Sequence, residues 1–226
     1  MGMVRGSEAQ GGGFHPQHEF LVAFDSDGCV FDSMELKHKE CFIPEIIHGF
    51  GLQPVARWAR EAAEFVNLYS RWRGTNRFPA LVRTLDLLRR RPEVQARGFE
   101  PVRLAALEAW LACEKRPSNG TLDSAIRGAD GVALEELRRV RAWSDAVNVA
   151  IERMVVALPP FPHVRDVLVA AAKRADALVV SATPTEALER EWREHELEQY
   201  VAGIGGQEHG TKAEQLKAAV RAGCDP

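Results

Sequence analysis

An apolar run of five residues, Phe20 to Phe24, ends abruptly at an acidic pair, and this junction constrains the fold more than any other feature of the sequence. An uninterrupted apolar run of this length is typical of a strand that is buried on both faces of a parallel sheet. Open α/β sheets bind their ligands at the carboxyl ends of the strands. We therefore expect Asp25 and Asp27 to lie where functional residues collect.

Two further apolar runs predict strands in the last third of the chain. The run from Ala177 to Val180 precedes Ser181, and the weaker run from Val201 to Ile204 precedes two glycines. Helical patterns flank both runs, which predicts βαβα units and a parallel sheet. The first and the later strands therefore belong to one α/β core.

The long region between these strands has helical periodicity. Its apolar residues recur at three- and four-residue steps, as in the stripe from Val55 to Trp72 and in the stripe from Leu134 to Leu158. A proline-rich segment, 158–162, then marks the return to the core. We expect an all-helical domain, residues 33–158, inserted after the first strand.

The predicted domain organisation has three parts. Residues 1–18 are rich in glycine at their start and have no long apolar stretch, which predicts a disordered lead. Residues 19–32 and 159–226 form the discontinuous α/β core, and residues 33–158 form the helical insert.

Composition excludes several classes of protein. Hydrophobic residues are 46% and charged residues 27% of the chain, as in ordinary soluble globular proteins. The net charge of −3 provides no basic field for nucleic acid, and no apolar run reaches the ~18 residues that span a membrane. The four cysteines have neither zinc-ligand nor disulfide-framework spacing. We expect a cytoplasmic protein; its oligomeric state cannot be read from the sequence.

The acidic pair after the first strand suggests metal or proton chemistry. Two carboxylates as close as those of Asp25 and Asp27 do not both ionise easily unless they share a proton or hold a cation. Mg²⁺ suits such a site because it accepts one or two carboxylates and takes the rest of its shell from water and substrate phosphate. The alternative is that the pair only forms an Asx-turn at the end of the strand.

Three motifs in order resemble those of the haloacid dehalogenase superfamily. The first is the pair Asp25 and Asp27 followed by glycine, the second is Ser181 at the end of the second core strand, and the third is Lys212. The resemblance covers Phe20 to Arg221. It implies a Rossmann-like parallel sheet with a helical cap inserted after the first motif.

The resemblance also implies a role for each motif residue. Asp25 would attack phosphorus, and Asp27 would protonate the leaving oxygen and then activate water. Ser181, Ala182 and Lys212 would bind the phosphate, and Asp25 and Asp27 would hold Mg²⁺. Read without the resemblance, the serine could be an ordinary strand-end residue and the lysine a solvated surface residue.

Local sequence supports the placement of these residues near helix N-termini. Thr211 with Glu214 three residues later predicts a capping box, which puts Lys212 on the first turn of a helix. Thr183 with Glu186 predicts a second capping box after Ser181.

An arginine-rich stretch of the insert is a candidate for substrate binding. Arg73 and Arg77 flank a Gly-Thr-Asn segment, and their guanidinium groups could hold an anionic substrate. The alternative is a solvated helix end whose arginines pair with glutamates.

The superfamily has a fourth, acidic motif on a later strand that this sequence does not match. Asp225 precedes a proline and follows no apolar run, so we do not assign it as a metal ligand. We expect the last core strands to be missing, as in a fragment, and the first strand to have an unpaired edge.

The sequence predicts an Mg²⁺-dependent hydrolase of a small phosphate monoester, acting on a phosphorylated metabolite through an aspartyl-phosphate. Two alternatives remain open: a phosphomutase or phosphotransferase of the same superfamily, and a catalytically impaired binding module.

Overall fold

The computed structural model describes residues 16–221, which form two compact units. The first unit combines the residues up to Asp32 with those from Ala157 onward, and it contains the sheet. The second unit, Ser33–Val156, contains only helices and turns. The sequence prediction placed the insert at residues 33–158, two residues longer at its end.

A parallel three-stranded sheet forms the centre of the first unit. The strands are β1 (Phe20–Phe24), β2 (Ala175–Val180) and β3 (Gly203–Gly205), in the order β1-β2-β3. Phe24 lies opposite Val179 in the register of β1 and β2. The predicted α/β core with a parallel sheet is therefore confirmed.

The sheet differs in detail from the prediction at its third strand. The predicted run begins at Val201, but Val201 follows a 3₁₀ turn, Glu198–Tyr200, and β3 begins only at Gly203. The N–H of Ala202, just before β3, donates to the carbonyl of Ala177. Within residues 16–221, β1 pairs with β2 alone. Phe20 on β1 is 54% exposed.

The second unit contains eight α-helices, with short π-helical and 3₁₀ segments between some of them. In chain order they are α1 (Ser33–Leu36), α2 (Ile43–Gly49), α3 (Ala56–Glu64), α4 (Arg77–Arg89), α5 (Pro92–Gln95), α6 (Ala105–Cys113), α7 (Asn119–Arg127) and α8 (Gly131–Met154).

The predicted apolar stripes of the insert supply part of its core, but Phe65, Tyr69 and Met154, which belong to them, are exposed. Trp143 of α8 is 3% exposed and packs edge-on against Phe78 of α4 and Phe42. The first stripe is helical only up to Tyr69, because Ser70 is extended. The second stripe ends with α8 at Met154. The prediction that the stripes are core is therefore confirmed for their buried members and wrong for the exposed ones.

Three helices pack around the sheet in the first unit: α9 (Val164–Ala171), α10 (Thr185–Glu194) and α11 (Lys212–Arg221). Trp192 of α10 and Phe31 are both fully buried, in a cluster that includes Val179 of β2. No helix between residues 16 and 221 is long and apolar enough to cross a membrane.

The entry to β1 is fixed by a buried carboxylate that the sequence analysis did not identify. Asp176 of β2 is 4% exposed, and its Oδ2 accepts hydrogen bonds from the backbone N–H groups of Gln17 (2.7 Å) and His18 (3.0 Å). The His18 ring lies 3.1 Å from Oδ1. Residues 17 and 18 were expected in a disordered lead, and that expectation is wrong for them; residues 1–15 lie outside the described part of the chain.

The hydrogen bonds to Asp176 also shift its ionisation. Burial by itself raises the pKa of the Asp176 carboxyl, but the hydrogen bonds from His18 and Gln17 outweigh it and hold the pKa below its ordinary value of 3.8. A carboxyl with a lowered pKa stabilises the folded state at pH values above its unfolded pKa. That contribution is lost as the pH falls through the folded pKa.

We predict that Asp176→Asn lowers the free energy of unfolding at pH 7 by about 1–3 kcal/mol, because a neutral amide replaces a buried carboxylate that accepts several hydrogen bonds. Urea unfolding at pH 7 measures the loss. The difference from the wild type should shrink as the pH falls below about 4.

The matched control is Asp166→Asn, since the Asp166 side chain is 83% exposed and lies 3.6 Å from the equally exposed His163 ring. Its effect should stay within about 0.5 kcal/mol. An equal loss in both variants, or a loss from Asp176→Asn that grows at low pH, would contradict the assignment.

Candidate active site

The carboxyl ends of the strands bring the predicted motif residues together within the first unit. Asp25 directly follows β1, and Ser181 directly follows β2. Lys212 begins α11, which follows β3 after a short loop. Because parallel strands present their carboxyl ends at one edge of the sheet, three segments that are distant in sequence meet there.

Lys212 contacts the first acid of the pair. Its Nζ lies 2.5 Å from Oδ2 of Asp25, and the two side chains are 42% and 39% exposed. The predicted capping box is present: the N–H of Thr211 donates to Glu214 Oε2 (2.8 Å), and the N–H of Glu214 donates to Thr211 Oγ1 (3.2 Å). This local motif places the lysine on the first turn of α11.

The second acid of the pair is held by a threonine that was assigned a different role. Thr183 Oγ1 donates a hydrogen bond to Asp27 Oδ2 over 2.7 Å, across 156 positions of sequence. The predicted capping box of Thr183 and Glu186 is therefore wrong. The threonine hydroxyl orients the acid instead of capping α10.

The N-terminus of α10 is capped by a carboxylate from another loop. Glu208 Oε2 accepts hydrogen bonds from the backbone N–H of Thr185 (3.0 Å) and from its hydroxyl (2.7 Å). Burial raises the pKa of Glu208, but these hydrogen bonds outweigh it, so that the pKa lies below its ordinary value. An anion at a helix N-terminus is stabilised by the helix dipole.

Ser181 lies at the bottom of the site and is 2% exposed. Its backbone N–H donates to the carbonyl of Gly205 (3.0 Å), and its Oγ accepts from the N–H of Thr183 (3.2 Å). A hydroxyl that accepts in this way keeps its own proton for donation. Ala182, the other predicted phosphate-binding residue of this segment, is exposed beside it.

The loop that carries both acids folds back on itself. Gly28 has a φ of +72°, a conformation that glycine adopts without strain. The Ser26 carbonyl accepts hydrogen bonds from the N–H groups of Val30 (2.9 Å) and Phe31 (3.1 Å). This turn, rather than an Asx-turn alone, directs the chain away from the end of β1.

The two predicted arginines of the insert have different environments. Arg73 is exposed. Arg77 is not: its Nη1 donates to the carbonyl (3.1 Å) and hydroxyl (3.0 Å) of Ser144 and to Oδ1 of Asn148 (2.7 Å), and burial lowers its pKa to about 10. The contacts of Arg77 lie within the insert, but with Ser144 and Asn148 rather than with glutamates as the alternative expected.

The donor set of the site suits a hard cation that keeps most of its shell outside the protein. Asp25 would supply a carboxylate oxygen and Asp27 a backbone carbonyl oxygen, and both are hard ligands of the kind that Mg²⁺ prefers. No group of three or more His, Cys, Asp or Glu side chains in residues 16–221 forms a metal centre. Two protein ligands are few, but they fit Mg²⁺, because water and substrate phosphate can complete its coordination shell. Asp225 lies outside the described residues.

No protein-family model matches the chain, and no curated protein matches it either. Among solved structures, the chain is similar to a predicted phosphoglycolate phosphatase from Haemophilus somnus 129PT, with 13% identity, a TM-score of 0.42, and 84% of this chain and 63% of that chain covered. It is also similar to a HAD-superfamily hydrolase, subfamily IA, variant 1, from Geobacter sulfurreducens PCA, with 15% identity, a TM-score of 0.37, and 93% and 76% covered. The chain thus spans less than two thirds of the first of these proteins.

The fold follows from the chain's own topology and motifs. The three motifs occur in the expected order, each at the carboxyl edge of a parallel sheet. An all-helical unit is inserted directly after the first of them. With these features the chain has a parallel α/β core with an all-helical insertion after the first strand, the architecture that the sequence analysis expects.

Proposed function

We propose that this chain hydrolyses a small phosphate monoester, with Mg²⁺ as cofactor and an aspartyl-phosphate as intermediate. The observation that carries the proposal is the contact of Lys212 Nζ with Asp25 Oδ2 at 2.5 Å, beside a second carboxylate held by Thr183. A nucleophile, a fixed cation and a separately oriented acid are the groups that this reaction needs.

The charges at the site support a phosphate substrate together with a cation. Asp25 and Asp27 carry two negative charges when ionised, and Lys212 carries one positive charge. A phosphate dianion added to this set would be repelled unless a divalent ion is also bound. When bound, Mg²⁺ supplies neutralisation of the carboxylate and phosphate oxygens.

In the first step of the proposed reaction, an Asp25 carboxylate oxygen attacks phosphorus. The bond between phosphorus and the leaving oxygen breaks, and Asp27 donates a proton to that oxygen. Lys212 stabilises negative charge on the phosphoryl oxygens, and the Ser181 hydroxyl donates a hydrogen bond to one of them. The products of this step are an alcohol and the aspartyl-phosphate.

In the second step, water attacks phosphorus and the bond to Asp25 breaks. Asp27, now ionised, accepts the proton of the attacking water. Inorganic phosphate leaves, and both carboxyl groups return to their starting states. The hydrogen bond from Thr183 orients the Asp27 carboxyl group that exchanges the proton.

The direct test is phosphate release from p-nitrophenyl phosphate and from a panel of phosphorylated sugars and hydroxy acids, with Mg²⁺ and with EDTA. Release that requires Mg²⁺ supports the proposal. Transfer of the phosphoryl group to a second sugar hydroxyl without release of phosphate would favour the phosphomutase alternative. Phosphate binding without either reaction would favour the impaired binding module.

We predict that Asp25→Asn reduces kcat for p-nitrophenyl phosphate by at least about 10³-fold, because an amide is neither a competent nucleophile nor an anionic ligand. Steady-state kinetics at saturating Mg²⁺ measure this loss. Asp166→Asn, on an exposed side chain of the same unit, is the control and should keep wild-type kcat. More than a small residual activity in Asp25→Asn would refute the nucleophile assignment.

The hydrogen bond between Thr183 and Asp27 should matter for rate more than for affinity. We predict that Thr183→Val, which keeps the shape but removes the hydroxyl, lowers kcat about tenfold to a hundredfold with little change in KM. The matched control is Thr84→Val, since the Thr84 hydroxyl is buried in the insert and donates to the Ala80 carbonyl of its own helix. Equal kinetics in the two variants would contradict the role of Thr183.

The two arginines should separate in their effects. We expect Arg73→Ala to raise KM for an anionic metabolite more than for p-nitrophenyl phosphate, if its exposed side chain meets the remote part of the substrate. Arg77→Met should lower the thermal midpoint, because it removes the hydrogen bonds of the guanidinium group to Ser144 and Asn148. Differential kinetics and thermal unfolding measure the two effects. If Arg77→Met changes KM while the thermal midpoint stays the same, Arg77 binds substrate as the sequence analysis expects.

A further inference from the structure

A buried polar anchor lies beneath the loop that carries the two acids. Ser26, between Asp25 and Asp27, is fully buried. Its Oγ accepts a hydrogen bond from the indole Nε1 of Trp192 over 3.1 Å and donates to Oε2 of Glu191 over 3.4 Å. Both partners are consecutive residues of α10. The hydroxyl therefore attaches the loop to one helix.

The same residue also organises the loop backbone. The Ser26 carbonyl accepts hydrogen bonds from the N–H groups of Cys29 (3.3 Å), Val30 (2.9 Å) and Phe31 (3.1 Å). Its carbonyl thus fixes the path of the loop, while its hydroxyl fixes the position of the loop against α10. A displacement of Ser26 would move both neighbouring acids.

Trp192 provides a rigid partner for this serine. The indole is fully buried, and its ring lies edge-on to that of Phe31, with 6.0 Å between centroids and an interplanar angle of 85°. A buried indole N–H without an acceptor is costly, so the ring and the serine hydroxyl constrain each other. Packing and hydrogen bonding therefore specify one arrangement of the loop.

We propose that Ser26 and Trp192 are positioning residues, which hold Asp25 and Asp27 in the geometry required for phosphoryl transfer. The proposal rests on the function proposed above. The two residues act through the acids on either side of Ser26 and do not touch the substrate. Since small misplacements of reacting groups slow a reaction strongly, loss of the anchor should lower kcat.

The first experiment measures loop order and needs no enzymatic activity. Hydrogen exchange of the amides in 28–31 is followed by mass spectrometry in the wild type, in Ser26→Ala and in Trp192→Phe. We expect exchange in this loop to become at least about tenfold faster in both variants, while exchange in β2 stays unchanged. Ser26→Ala removes a single atom, so it keeps the test valid if Trp192→Phe folds poorly.

The matched control is Trp143→Phe in the insert. Trp143 is also buried, but its indole Nε1 has no hydrogen-bond partner among residues 16–221. This variant therefore loses a buried tryptophan without losing a hydrogen bond. It should leave both loop exchange and kcat at wild-type values.

The second experiment measures kinetics. We expect kcat for p-nitrophenyl phosphate to fall about tenfold in Ser26→Ala and in Trp192→Phe, with KM changed less than twofold. The double variant should be no slower than the slower single variant, because both remove the same interaction. Additive losses, or unchanged kcat despite faster loop exchange, would overturn the positioning role.

The two experiments separate failure of the anchor from failure of the proposed function. A wild-type protein that releases no phosphate refutes the function, yet the exchange data still decide whether the anchor orders the loop. An active wild type whose loop exchange does not respond to Ser26→Ala refutes the anchor and leaves the function intact.

Discussion

Parallel pairing of β1 with β2 is the constraint on which the site depends. This pairing places Asp27 within hydrogen-bond distance of Thr183, although 156 positions separate them. It also aligns the end of β1 with Ser181, and β3 extends the same edge toward Lys212. A parallel pair needs a long crossover connection, and here the connection contains the entire helical unit. The insertion therefore leaves the sheet intact.

Features with a local cause could be predicted from the sequence. The apolar run Phe20–Phe24 became β1 with the same bounds, and the capping box of Thr211 and Glu214 placed Lys212 on the first turn of α11. Both follow from residues within a few positions of one another. Neither depends on how distant segments pack.

Features that depend on distant partners could not be predicted. Thr183 and Glu186 satisfy the capping-box pattern, but the Thr183 hydroxyl donates to Asp27 instead. The N-terminus of α10 is capped by Glu208. A sequence pattern counts only nearby partners, whereas a threonine hydroxyl bonds the best acceptor that folding brings to it. The contact between Ser26 and Trp192 was missed for the same reason, since 166 positions separate them.

The exposure of the contact between Asp25 and Lys212 limits what it contributes to stability. A pair of charges as exposed as Asp25 and Lys212 contributes only about 0–1 kcal/mol to stability, because water screens it. A contact this weak costs little to break, so the Lys212 ammonium group can exchange the carboxylate for another anion. The buried groups beneath it, Ser26 and Trp192, are expensive to disturb. The loop is thus fixed on its buried side by Ser26, while the Asp25 side chain at its other side is 39% exposed.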